Sequence, residues 1–140
     1  MRGQYLTIEY LMFFTIGIIM IISVYYIFSG LNQQYEKATT EYQLRMTGQM
    51  IIGSIIKTFL SSNSTDSEVN YNLSIPARLS NCIYTIRIVN NFMLLECIEI
   101  SDVSANLTTY NLNIKISNNI IYSTEGLLQM TAKNGEIDLK

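Results

Sequence analysis

Tyr10-Leu-Met-Phe-Phe-Thr-Ile-Gly-Ile-Ile-Met-Ile-Ile-Ser-Val-Tyr-Tyr-Ile-Phe28 carries no charged residue. About 20 apolar residues, each adding 1.5 Å of helix, cross a hydrocarbon core ~30 Å thick. Backbone groups in lipid must be satisfied within the segment, so a helix is predicted here despite the many isoleucines. The run is too long and too uniformly apolar for an ordinary buried core helix. Tyr10 at one end and Tyr25 and Tyr26 at the other suit the two membrane interfaces. A secretory signal would have a shorter apolar region and a small-residue cleavage site. Here Ser29-Gly30 follows and the helical pattern resumes, so the segment reads as an anchor. Arg2 precedes it and Lys37 is the first cation after it, which predicts the N-terminus inside and the remainder outside.

The rest of the composition agrees with a membrane-associated chain. In 140 residues there is room for one domain and one long appendage. Charged residues are only 14%, against a usual ~25%. The net charge of -2 supplies no basic field for nucleic acid. Histidine is absent, which removes the commonest general base and metal ligand. Two cysteines alone do not close a structural zinc site. No nucleophile–base pair, phosphate-cradling glycine loop or carboxylate cluster emerges, and Glu96 and Glu99 read as a solvated strand edge. The expectation is a non-enzymatic protein without metal, cofactor or nucleic-acid partner.

Met1-Arg2-Gly3-Gln4, followed by Thr7-Ile8-Glu9-Tyr10-Leu11, is the most specific signal. It resembles the class III signal peptide of archaeal type IV pilin-like proteins. That resemblance implies a leader of residues 1–3, cleavage between Gly3 and Gln4 by a prepilin peptidase, and Glu9 as the helix carboxylate. The family usually places its glutamate fifth in the mature chain. Counting from Gln4 makes Glu9 sixth, whereas counting from Tyr5 makes it fifth, so the cleavage bond is fixed to within one residue. A carboxylate beside a membrane span is costly unless paired or held at the interface. In a filament it would pair with the α-amine of a neighbouring subunit. The simpler alternative is a negative charge placed to suit the helix macrodipole.

Residues 31–60 keep a helical period. Leu31, Tyr35, Ala38, Tyr42, Met46 and Met50 recur at steps of three and four, and Ile51, Ile52, Ile55, Ile56, Phe59 and Leu60 make the last turns apolar. A helix from Tyr5 to Leu60 would be about 84 Å long, with only its first third in lipid. Gly30, Gly48 and Gly53 are weak points, each costing ~1 kcal/mol against alanine. The distal apolar stripe is expected to dock on the subunit's own sheet.

Ser61-Ser62-Asn63-Ser64-Thr65-Asp66-Ser67-Glu68 is a loop by composition. Beyond it the apolar period becomes two. Tyr71-Leu73-Ile75, Cys82–Val89, Phe92–Ile100, Tyr110–Ile116, Ile120–Tyr122, Leu127–Thr131 and Ile137–Leu139 read as strands. Asn90-Asn91 and Asn134-Gly135 suit tight hairpin turns. The predicted class is α+β: a long N-terminal helix over 4–60, its transmembrane part at about 10–28, then a small antiparallel β-sheet or sandwich head over 61–140. With so few residues the head would borrow part of its core from the helix.

With Asn90-Asn91 as a two-residue loop, Cys97 faces Tyr84 and Cys82 faces Glu99, making the cysteines diagonal neighbours. An exterior location permits a Cys82–Cys97 disulfide; two buried thiols would pack equally well. Asn63-Ser64-Thr65, Asn72-Leu73-Ser74 and Asn106-Leu107-Thr108 match the N-x-Ser/Thr glycosylation pattern. Asn63, in the most open stretch, is the leading acceptor.

The resemblance implies a pilin-like subunit, major, minor or pseudopilin. It would be a membrane-anchored precursor with an extracellular C-terminal head, whose mature form packs its N-terminal helix against identical or related subunits in an adhesive surface filament. The alternative is a membrane-anchored β-sandwich of archaellum stator-like type that does not polymerise. An uncleaved receptor or membrane enzyme has the least support.

Overall fold

The computed structural model describes the chain apart from Met1, Asp66, Asn111, residues 117–119, Asn134 and Gly135; the side chains of residues 2–6 and of Thr65 also lie outside the described set. It divides into two units, Met1–Glu36 and Lys37–Lys140. The chain is α+β, with α1 (Arg2–Thr65) followed by β1 (Val69–Ser74), β2 (Tyr84–Val89), β3 (Phe92–Cys97), β4 (Ser104–Thr108), β5 (Asn113–Ile116), β6 (Ile121–Tyr122), β7 (Leu127–Lys133) and β8 (Glu136–Leu139).

The strands form two sheets of four, in the orders β1-β7-β8-β5 and β4-β3-β2-β6. Every pairing is antiparallel except β5 with β8, where Ile114 lies beside Ile137 and Ile116 beside Leu139 in parallel register. The antiparallel expectation therefore needs correcting at that pair. Alternation sends Leu128, Met130, Ala132, Ile137 and Leu139 inward from the first sheet, and Tyr84, Ile86, Met93, Leu95 and Ala105 from the second. Leu44, Ile51, Ile52 and Ile55 of α1 complete the same core, as the small size of the head requires.

The first hairpin follows the sequence reading. Val89 faces Phe92 across Asn90-Asn91, and Tyr84 faces Cys97. Asn90 takes a left-handed φ of 55°, which asparagine tolerates better than most residues. β3 ends at Cys97, short of the expected Ile100, because the chain turns through Asp102 at φ 66° and Cys97 N donates to Val103 O at 3.0 Å. The returning strand β4 was not among the expected strands. Around the other turn, Lys133 faces Glu136; the Asn134-Gly135 pair itself lies outside the described residues.

Two corrections concern α1. The helix does not stop at Leu60 but runs to Thr65. Ser62 is buried, and its hydroxyl lies 2.9 Å from Ser67 O and 3.1 Å from Ala132 O of β7, fastening the extra turn to the sheet. The docked face keeps Ile51, Ile52 and Ile55 of the expected stripe but differs from it upstream. Tyr42, Met46 and Met50 are exposed, whereas Thr40, Leu44, Thr47, Ile51, Ile55, Thr58 and Ser62 are buried. Thr58 returns its hydroxyl to Ser54 O at 2.8 Å, so a polar residue enters the core already satisfied. Gly48 lets this face approach closely: a Cβ there would overlap Leu107 and stand 3.0 Å from Leu95 Cδ1.

Candidate membrane and assembly surface

Among the described residues of Met1–Glu36, the large apolar side chains of α1 from Ile8 on are exposed. Leu11, Phe14, Ile19, Met20 and Ile21 are exposed around the helix, Ile21 at 71%. The helix is long and apolar enough to cross a membrane. Its internal hydroxyls are compatible with lipid: Thr15 Oγ1 reaches Met12 O at 2.8 Å and Ser23 Oγ reaches Ile19 O at 2.8 Å. Such bonds spare a hydroxyl the cost of lying unsatisfied in hydrocarbon. Tyr10, Tyr25 and Tyr26 are exposed at the two ends of the uncharged run, with Tyr25 and Tyr26 meeting edge to face.

Gly3 and Gln4 lie in the first turn of α1, and Glu9 stands exposed at the start of the apolar run. Glu9 has no ion-pair partner among the described residues. The carboxylate is thus presented to whatever surrounds the helix.

The second unit, Lys37–Lys140, carries the remaining expected sites. Cys82 and Cys97 are at disulfide distance, with S–S 2.09 Å and Cα–Cα 5.7 Å. Leu79 and Cys82 exchange backbone hydrogen bonds at 2.9 Å, so the cross-link ties the Leu79–Cys82 turn to β3. Asn63 is exposed on the last turn of α1, not in an open loop; Asn72 and Asn106 are exposed on β1 and β4.

Sequence reasoning missed a buried polar hub. Ser123, wholly buried, donates to Ala77 O at 2.8 Å and accepts from Tyr84 N at 3.1 Å. The Tyr84 hydroxyl donates to Pro76 O at 2.9 Å, and burial pushes the phenol up to about 12. These bonds tie the segment after β1 to the start of β2 and to the turn bearing Ser123. The only sequence signal was Gly126, whose φ of 70° closes the 3₁₀ turn bearing Ser123.

The head surface offers little chemistry. A depression of about 450 Å³ on β5, β7 and β8 is lined by Lys115, Thr131, Lys133, Glu136, Ile137 and Asp138. Lys115 Nζ meets Glu136 Oε2 at 2.8 Å, and its hydrogen bond and charge hold that carboxyl below its ordinary value. This is an exposed ion pair, a kind worth little. Among the described residues no group of three acidic, cysteine or histidine side chains is placed to hold a metal. The chain matches no protein-family model, no curated protein and no solved structure.

Proposed function

We propose that the chain is an archaeal type IV pilin-like subunit, kept in the membrane by α1 until a prepilin peptidase removes residues 1–3. The observation that carries this reading is the conjunction of the Arg2-Gly3-Gln4 leader with an exposed acid, Glu9, immediately before the uncharged run Tyr10–Phe28 of α1. An anchor alone needs neither feature. In a filament, identical or related subunits would cover the apolar side chains from Ile8 to Phe28, and Glu9 would be neutralised by a neighbour's new α-amine. Exposed Tyr42, Met46 and Met50 on the second unit would give the head a lateral contact to another subunit. The head would face outward, in an adhesive rather than catalytic role.

Mass spectrometry of the mature N-terminus from isolated envelopes tests the reading. The expected terminus is Gln4, free or cyclised, in material that sediments as filaments. An intact Met1 terminus in mature envelopes overturns it. A cleaved protein that never forms filaments points to the stator-like anchor instead.

A further inference from the structure

A β-sheet edge left open is a template for another chain, and proteins protect such edges with charge, proline, a bulge or brevity. The head has four edge strands: β1 and β5 in one sheet, β4 and β6 in the other. β5 carries Lys115, and β6 is two residues long. The other two have neither protection. β1 reads Val-Asn-Tyr-Asn-Leu-Ser and β4 reads Ser-Ala-Asn-Leu-Thr, without a charge or a proline. β4 also borders an open groove lined by Ile52, Ile56, Leu107, Thr108 and Tyr110.

These two bare edges are the strands that carry Asn72-Leu73-Ser74 and Asn106-Leu107-Thr108. Both triplets have the same setting. Leu73 faces Leu128, so it belongs to the inner face; Asn72 and Ser74 stand on the outer face, opposite Gln129 and Leu127. Leu107 likewise faces buried Met93, while Asn106 and Thr108 stand outside, opposite Leu94 and Phe92. In an extended strand, residues two apart share a face. Each acceptor amide therefore sits beside the hydroxyl that the N-x-Ser/Thr pattern requires. Asn63 lies instead on α1, where the backbone is helical and not extended. Asn63 lacks that arrangement.

We propose that Asn72 and Asn106, and not Asn63, carry N-linked oligosaccharide, and that the sugars shield the two uncharged sheet edges. In the transfer, the Asn Nδ2 forms a bond to the anomeric carbon of a lipid-phosphate-linked oligosaccharide. The bond from that carbon to phosphate oxygen breaks, the lipid phosphate leaves with its electron pair, and one amide proton is lost to the transferase. On β4 the sugar also covers apolar surface: Phe92 and Val89, paired across the hairpin end, are 48% and 51% exposed. The inference rests on the proposed exterior placement of the head.

Peptide mass spectrometry on full-length protein from the native envelope tests it. A glycan mass is expected on the Asn72 and Asn106 peptides, with the Asn63 peptide bare. Asn72→Gln and Asn106→Gln should each remove one step in gel mobility. The double Gln variant, extracted in detergent, should lose monodispersity in light scattering. The Asn72→Lys, Asn106→Lys variant is equally unglycosylated but places a charge on each edge, so it should stay dispersed. Bare Asn72 and Asn106 peptides, sugar on Asn63, or a double Gln variant as dispersed as the native protein overturns the proposal, as does equal association of the Gln and Lys variants. Protease applied to intact cells reads the head's location independently. Digestion with bare asparagines rejects the sugar while sparing the exterior reading; a protected head rejects both.

Discussion

Leu107 of β4 lies against the backbone of Gly48 in α1, at a spot where any Cβ would overlap its side chain. Gly53, five residues on, has open space where its Cβ would be. Two glycines that look equivalent on a helix therefore have opposite consequences. Gly48→Val should destabilise the head by about 1–3 kcal/mol through overpacking. Gly53→Ala should stabilise the helix by ~1 kcal/mol, because only propensity changes. Thermal melts followed by circular dichroism in detergent should order the variants as Gly53→Ala, native, Gly48→Val; an unchanged Gly48→Val melt rejects the close contact.

This contrast marks where the sequence stopped being legible. Alternation and the Asn90-Asn91 pair were enough to set the first hairpin's register, including Tyr84 opposite Cys97. β4 was missed because its one fully buried residue is Ala105, too small to announce a buried strand. The β5–β8 parallel pair was invisible because alternation says which face is buried but not which strand lies alongside. The docked face of α1 was read correctly at Ile51, Ile52 and Ile55 but misread elsewhere, because Thr40, Thr47, Thr58 and Ser62 lie inside while Tyr42, Met46 and Met50 lie outside. A hydrophobic count cannot anticipate a buried threonine such as Thr58, whose hydroxyl is satisfied on Ser54 O of its own helix. The long apolar helix, by contrast, depended on composition alone and was readable at once.

Tyr84 should make the head sensitive to strong alkali. Its phenol is pushed up to about 12 from 10.0 by burial. A raised folded value means that the stabilising contribution is fully present below pH 10 and is lost as pH rises through 12. Full ionisation should cost about 3 kcal/mol. Tyr84→Phe removes the hydrogen bond to Pro76 O, costing about 1 kcal/mol at neutral pH, and should flatten the loss between pH 10 and 12. Ser123→Ala leaves the buried Tyr84 N–H unpaired and should cost about 1–3 kcal/mol at any pH. Urea midpoints measured against pH separate the two variants; parallel profiles for native and Tyr84→Phe protein would sink the ionisation account.

The cysteine pair closes a separation of 15 residues. Constraining an unfolded loop of that size is worth about 3 kcal/mol. Alkylation of unreduced protein should leave Cys82 and Cys97 unlabelled. The Cys82→Ala, Cys97→Ala variant should melt at lower temperature, with native melting after reduction falling to meet it. Labelling of either cysteine without reductant contradicts the cross-link.

Met46 separates folding from assembly. It is exposed, at 51%, on the side of α1 opposite the buried Leu44 and Ile51 set. Met46→Glu should leave the head's melting within about 0.5 kcal/mol of native, as exposed substitutions usually do. If another subunit covers this stripe, the variant should reach the membrane and be processed, yet yield few filaments on electron microscopy. Native filament yield would remove Tyr42, Met46 and Met50 from the assembly surface.

Glu9 gives the sharpest test, because anchoring and assembly ask different things of it. Glu9→Gln removes the charge with almost no change in helix length, in the apolar span or in the head. Insertion should survive, and even improve, since a carboxylate near lipid is unfavourable. Glu9 lies in Met1–Glu36, whereas the buried core is drawn from Lys37–Lys140, so head stability should not move. If Glu9 pairs with a neighbour's α-amine, the deficit should appear only when subunits meet. One charge left alone in a desolvated pair costs ~3–5 kcal/mol, enough to stop a subunit joining. The expected product is therefore cleaved, membrane-retained and unassembled protein, detected by N-terminal mass spectrometry of the membrane fraction alongside filament counts. Glu9→Asp keeps the charge on a shorter arm and should restore part of the assembly. Normal filaments from Glu9→Gln reject the pairing. Equal failure of the Gln and Asp variants would show that the position needs a charge at the full reach of the glutamate arm, not charge alone.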